Sequence, residues 1–165
     1  MSKTQTPKEL LVVALQDLHD AEVAWNERGA ALSDAAGTQL SAFLKTDLKR
    51  SVAQRIGLET LLGSLKAEVE GDPNIWLRAI LDDAERDSRS IIAGPLRDTA
   101  LIGAFRKGKQ AERVSYETAV LLARRLGMKD VEVRLTAFRG QEEQADRELE
   151  SLLQATIGIL TVQPE

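Results

Sequence analysis

Four segments of this chain carry an apolar stripe at helical spacing, and each stripe is broken near its middle by one carboxylate. Alternating steps of four and three follow a single helix face. Along the first segment they pick out Leu11, Leu15, Leu18, Glu22 and Trp25. The second gives Leu40, Leu44, Asp47, Ser51, Gln54, Leu58, Leu61 and Leu65. The third gives Leu101, Phe105, Gly108, Glu112, Ser115, Ala119 and Leu122, and the fourth Val131, Leu135, Phe138, Glu142, Ala145, Leu149 and Leu152. No segment shows the alternation of a half-buried strand, so the chain is expected to be all-α.

Helix stops place these stripes in a bundle. Thr6-Pro7-Lys8-Glu9 combines a capping residue, a proline at the first helical position and the glutamate of a capping box. The helix it opens is predicted to run to about Leu32, with a turn at Ser33-Asp34-Ala35-Ala36-Gly37 and a second helix from Thr38 to Leu65. Gly71-Asp72-Pro73 breaks the chain before a shorter helix, Asn74 to Ser90, and Gly94-Pro95 breaks it again. Two further long helices, Leu96 to Leu126 and Asp130 to Ile157, meet at Gly127, and the tail ending in Pro164 is expected to fray. The reading is one domain over residues 1–165 with an ordered core of about 6–157: a four-helix bundle of two antiparallel hairpins, with the short helix in the crossover.

The turns also match the carboxylates in height. Folding the first hairpin about residue 35 brings Glu22 beside Asp47, and folding the second about residue 128 brings Glu112 beside Glu142. One acidic residue on a stripe is ordinarily a helix-edge residue. Four at one level are a different case. Ionised carboxylates in an apolar core must be paired, protonated or bound to a cation. Inward carboxylates from four helices are the basis of di-iron and di-manganese bundles, whose hard ions favour oxygen ligands.

Composition narrows the chemistry. The 165 residues have a net charge of -4 with 29% charged residues of mixed sign, which argues against a nucleic-acid partner. With no cysteine, thiolate metal sites, disulfides and cysteine nucleophiles are excluded. A single histidine, His19, excludes a two-histidine zinc motif, and no nucleophile elbow or phosphate-cradling glycine loop is present. No segment approaches the ~18 apolar residues of a membrane span, and the N-terminus has no signal-peptide core. No membrane is therefore expected as partner, and a cytoplasmic location is the expectation.

Local motifs resemble the YciE/YciF family of ferritin-like bacterial stress proteins. Asp17-Leu18-His19-Asp20-Ala21-Glu22 resembles that family's Asp-Leu-Tyr-Asp-Ala-Glu, with Glu22 at a metal-ligand position. Asp98-Thr99-Ala100-Leu101-Ile102, continuing through Glu112 and Tyr116, resembles its Asp-x-Ala-Leu-Ile run leading to Glu-His-Tyr-Glu. Glu142-Glu143-Gln144-Ala145-Asp146 resembles its Glu-Glu-x-x-Ala-Asp, and the likeness spans about residues 9–153. It implies a ferritin-like bundle, an ancestral iron or manganese site drawn from Glu22, Asp47, Glu112, Glu142, Glu143 and Asp146, and a homodimer.

The departures from the family pattern concern the site. Where the family reads His-Leu-x-Glu-Thr-x-x-Gln, this chain has Asp47-Leu48-Lys49-Arg50-Ser51-Val52-Ala53-Gln54. Where it reads Glu-His-Tyr-Glu, this chain has Lys109-Gln110-Ala111-Glu112. Two glutamates are thus replaced by cations. Arg50 and Lys109 are expected to bridge Glu22, Glu112 and Glu142 where metals would sit, with Gln54, Gln110 and Tyr116 around them. The alternative is that both cations snorkel to solvent and the carboxylates hold a weak metal. His19, off the stripe, is read as a surface or partly buried residue. The favoured expectation is a non-catalytic, metal-free protein acting through stress-associated interactions. A metal-loaded protein with residual redox or storage chemistry is the alternative, and no residue pattern argues directly for a small-ligand pocket.

Overall fold

The computed structural model describes residues 3–162. They form five helices and, among the described residues, no strand: α1 Pro7–Ala35, α2 Thr38–Ser64, α3 Ile75–Ser90, α4 Pro95–Arg125 and α5 Lys129–Gly158. Helices α1 and α2 form one antiparallel hairpin, α4 and α5 the other, and α3 lies in the crossover against α1 and α4. The expected fraying of the last residues lies outside the described ones.

The ends of the helices follow from local chemistry. Thr6 Oγ1 accepts from Glu9 N at 3.2 Å and Glu9 Oε2 accepts from Thr6 N at 2.9 Å, completing the capping box. Helix α1 runs one turn past its expected end, through Ser33 and Asp34 to Ala35, which leaves only Ala36-Gly37 as the turn. That turn is tight because Gly37 N donates to Asp98 Oδ1 of α4 at 2.9 Å, and a Cβ at Gly37 would run into the same carboxylate. Helices α2 and α4 both end in Schellman motifs. In α4 the left-handed position is Gly127, with Met128 N donating to Ala123 O at 3.0 Å. In α2 that position is Lys66, at φ 56°, with Ala67 N donating to Leu62 O at 3.0 Å.

Helix α3 is held against α1 by polar groups. Asn74 caps it, Oδ1 accepting from Leu77 N at 2.7 Å, while Asn74 Nδ2 donates to Asp17 Oδ1 at 2.9 Å. Trp76 Nε1 donates to Asp17 Oδ2 at 3.0 Å, and the Arg78 guanidinium forks onto both oxygens of Asp20.

The core is divided. One apolar cluster gathers Trp25, Leu32, Leu44, Leu81, Leu101, Phe105 and Leu149, and another gathers Leu11, Leu15, Leu58, Tyr116, Val120 and Leu135. The residues that interrupt the stripes belong to neither apolar cluster and form a polar layer within the bundle. In α4 the buried face drifts after Glu112. Tyr116, Val120 and Ala123 are buried, whereas the predicted Ser115 and Leu122 are only partly so. An unsupercoiled helix turns every 3.6 residues, so a strict seven-residue stripe slides off its face within two or three heptads.

Candidate polar core site

Seven side chains make up the layer: Glu22 from α1, Asp47, Ser51 and Gln54 from α2, Lys109 and Glu112 from α4, and Glu142 from α5. All are buried, and only Lys109, at 6%, exceeds 1% exposure. Lys109 Nζ lies at their convergence. It donates to Glu142 Oε2 at 2.8 Å and Glu112 Oε2 at 3.0 Å, and stands 3.0 Å from Asp47 Oδ2. The contact to Asp47 Oδ2 is an ion pair without hydrogen-bond alignment, because that oxygen has no hydrogen-bond partner.

Glu22 is satisfied differently. Ser51 Oγ donates to its Oε2 at 2.5 Å and Tyr116 OH to its Oε1 at 3.2 Å. Asn26 Nδ2 in turn donates to Ser51 Oγ at 2.7 Å, and Arg55 Nε to Asn26 Oδ1 at 3.2 Å. Gln54 Nε2 donates to Glu142 Oε1 at 2.7 Å and Gln141 Oε1 at 2.9 Å.

Electrostatics divide the carboxylates. Burial, reinforced by the charge of Glu142, pushes the Glu22 carboxyl up to about 8 despite the opposing Lys109 and Ser51. Burial and Glu142 likewise hold Glu112 well above the usual carboxylate range. Burial raises Glu142 as well, but Lys109 and hydrogen bonds from Glu112, Lys109 and Gln54 outweigh it and hold Glu142 low. Glu112 thus favours its protonated form beside an ionised Glu142. Burial lowers Lys109, yet Asp47, Glu112 and Glu142 together raise it well above the usual lysine range, so the ammonium is retained. Tyr116 is raised by burial and by Glu22, and stays a phenol donor.

Several expected members stand elsewhere. Arg50 does not reach Glu22, Glu112 or Glu142. It lies at the edge of the layer, its side chain 20% exposed, with Nη1 donating to Asp47 Oδ1 at 3.2 Å. One residue before Ser51 and three after Asp47, its Cβ points off the stripe, and only its long stem lets it touch the rim. Lys109 makes its third pair with Asp47 and none with Glu22, which Ser51 and Tyr116 occupy. Glu143 is exposed and pairs with Arg147 at 3.2 Å, one position round α5 from the inward Glu142. Asp146 pairs with Arg106 at 2.7 Å, and exposed Gln110 donates to it at 3.2 Å. These three form an α4–α5 surface contact outside the layer. His19 is buried, 8% exposed, with Nε2 3.2 Å from Glu59 Oε1. Ser51 and Asn26 are the partners that were not singled out beforehand. A hydroxyl at a stripe position opposite Glu22 was the available signal for Ser51; Asn26 lies off the stripe.

The layer does not fit a two-metal centre. An ammonium sits where carboxylate oxygens converge, and among the described residues no three His, Asp or Glu side chains are arranged to hold a metal ion. A cation there would have to displace Lys109.

These features define a class: a bundle of two helical hairpins whose core carboxylates are neutralised by a lysine. The chain belongs to the DUF892 family, a domain of unknown function, which matches residues 6–159. It is similar in structure to the Escherichia coli stress protein YciF, with a TM-score of 0.90 and 22% identity over 95% of this chain and 100% of that one. YcfI of Rhodopseudomonas palustris matches with a TM-score of 0.84 and 22% identity, covering 88% of this chain and 94% of its own. A Xanthomonas campestris protein matches at 0.73 and 18%, covering 92% of each chain. No curated protein matches the sequence. The resemblance to the YciE/YciF family is thereby borne out, and the fold is a ferritin-like helical bundle. No described helix is long and apolar enough to cross a membrane.

Proposed function

We propose that this protein is a non-catalytic ferritin-like bundle, in which the Lys109 ammonium has taken over the charge that metal ions supply in di-metal bundles. Its role is then stress-associated and exerted through interaction with other molecules. The observation that carries this reading is Lys109 Nζ within 3.0 Å of Asp47, Glu112 and Glu142. With the Glu22 and Glu112 carboxyls held protonated, two built-in cations, Lys109 and Arg50 at the rim, match the two remaining carboxyls, Glu142 and Asp47, without an ion from solution. The likeness to YciF supports the stress association, since that protein is described as a stress protein. Arg50 has a smaller part than Lys109, screening only Asp47 from the rim.

Metal quantification on protein purified after growth with iron and manganese tests the reading. Wild type should hold well below one ion per chain, and Lys109→Glu should gain affinity because it removes the ammonium and adds an oxygen ligand. One or more ions per chain in wild type would overturn it.

A further inference from the structure

At the end of the bundle where α1 begins and α4 turns into α5, two grooves meet at Leu65, which lines both. The larger lies between the end of α2 and the first turns of α5, with Met128, Val131 and Phe138 along it. The two hairpins touch at Phe138, whose ring takes the space that a Cβ on Gly57 would need. The smaller lies between the start of α1 and the residues after α2, over Val12, Val13 and Ala67. Their free room is about 1040 Å³ and 490 Å³. A pocket for a drug-sized ligand has ~300–1,000 Å³, so several side chains fit here. Apolar surface is left open along both, Val13 being 46% and Val133 59% exposed.

The rims are basic, in a chain whose net charge is -4. Lys129 and Arg134 flank the larger groove, Lys3 and Lys8 the smaller, and Lys66 follows the shared Leu65. All five are exposed. Lys129 reaches Glu132 only at 3.5 Å, and the other four make no ion pair among the described residues. Two carboxylates share these linings, Asp130 and Glu9, and Glu9 Oε2 already accepts from Gln5 N at 2.8 Å and Thr6 N at 2.9 Å. Elsewhere on the surface Arg28, Arg78 and Arg106 each hold a carboxylate within 2.7 Å.

Floor and rim together select the occupant. A concave apolar floor fits the ridge of a helix, and a flat bilayer does not reach into it. A nucleic-acid backbone is held by charge and needs no apolar floor. A two-fold contact with a second copy would set the same cations against one another. An amphipathic helix with carboxylates beside its apolar stripe satisfies both.

We infer that these grooves bind an acidic amphipathic helix of a partner protein. Its apolar residues lie over Met128, Val131 and Val133, and its carboxylates pair with Lys66, Lys129 and Arg134. The inference rests on the interaction reading above and gives the partner a chemistry. Metal content tests the polar layer and peptide binding tests the grooves, so either can fail alone.

The test uses a labelled synthetic amphipathic helix of about 15 residues, with leucine on one face and glutamate on the other. Titrated with the full chain and followed by fluorescence anisotropy, it should bind saturably, and more weakly as salt rises. A peptide with lysine in place of glutamate should not bind. Lys129→Glu with Arg134→Glu should weaken binding about tenfold. Both residues are exposed in the first two turns of α5, where acidic side chains suit the helix dipole. Lys45→Glu with Lys107→Glu makes the same change in net charge at exposed residues that line neither groove, and should leave the affinity unchanged. No saturable binding of the acidic peptide, equal binding of the lysine peptide, or equal effects of the two double variants would each overturn the proposal. So would tighter binding to phosphatidylglycerol vesicles, which assigns the grooves to a membrane, or a dimer that excludes the peptide, which assigns them to a second copy.

Discussion

Replacing Lys109 by methionine removes one charge and leaves the volume nearly unchanged, so it isolates the electrostatic role of the ammonium. Three carboxyl groups no more than 1% exposed lie within 3.0 Å of Nζ. Deleting one member of a buried ion pair costs about 3–5 kcal/mol because the partner charge is left uncompensated. At pH 8 the variant should therefore lose roughly 4 kcal/mol, a large share of the ~5–15 kcal/mol typical of a domain. Without the ammonium, carboxyls that were ionised must take up protons to stay buried. A carboxyl whose folded pKa exceeds its unfolded value adds stability that is fully present below the unfolded pKa and lost as pH rises through the folded pKa. Each additional such group makes the variant's stability fall more steeply with pH, by up to about 1.4 kcal/mol per pH unit. Urea unfolding at several pH values between 5 and 8 measures both quantities. The penalty should shrink steadily toward pH 5. A loss under about 1 kcal/mol at pH 8, or one independent of pH, would refute the claim that Lys109 neutralises the layer.

Two more predictions concern single residues. Glu22 has its carboxyl raised from 4.5 to about 8, so its contribution is present at and below pH 4.5 and lost as pH rises to 8. Glu22→Gln should remove that part of the slope, on the order of 1 kcal/mol per pH unit in urea melts, and be more stable than wild type at pH 8. Exposed Lys66 occupies the left-handed position that ends α2, at φ 56°. Lys66→Gly should stabilise the protein by about 0.5–1 kcal/mol in thermal or urea unfolding, since glycine adopts that conformation without the Cβ penalty.

Much of the fold was legible because helices announce themselves locally. The Thr6–Glu9 capping box, the Gly71-Asp72-Pro73 break and the Gly94-Pro95 break lie within a few residues of the boundaries they create. The end of α1 was misplaced by a turn, because Ser33, Asp34 and Ala35 carry turn propensity of their own, whereas packing carries the helix through them. Asp98, which receives the Gly37 amide, lies 61 residues away, beyond any local pattern.

The polar layer divides along the same line. Periodicity alone established that Glu22, Asp47, Glu112 and Glu142 face inward at one level, since a stripe position points where its helix face points. Which cation meets them was decided by the packed bundle. Lys109 and Arg50 were equivalent as replaced glutamates, yet Lys109 points into the layer while Arg50 reaches only Asp47 from the rim. Glu142 and Glu143 are adjacent in sequence, but a 100° step round α5 buries one and exposes the other. Chain order determines which residues share a helix face. Only the approach of the helices determines which charge reaches which partner, because ion-pair contact is settled over 3 Å and helical spacing locates a side chain no more closely than a face.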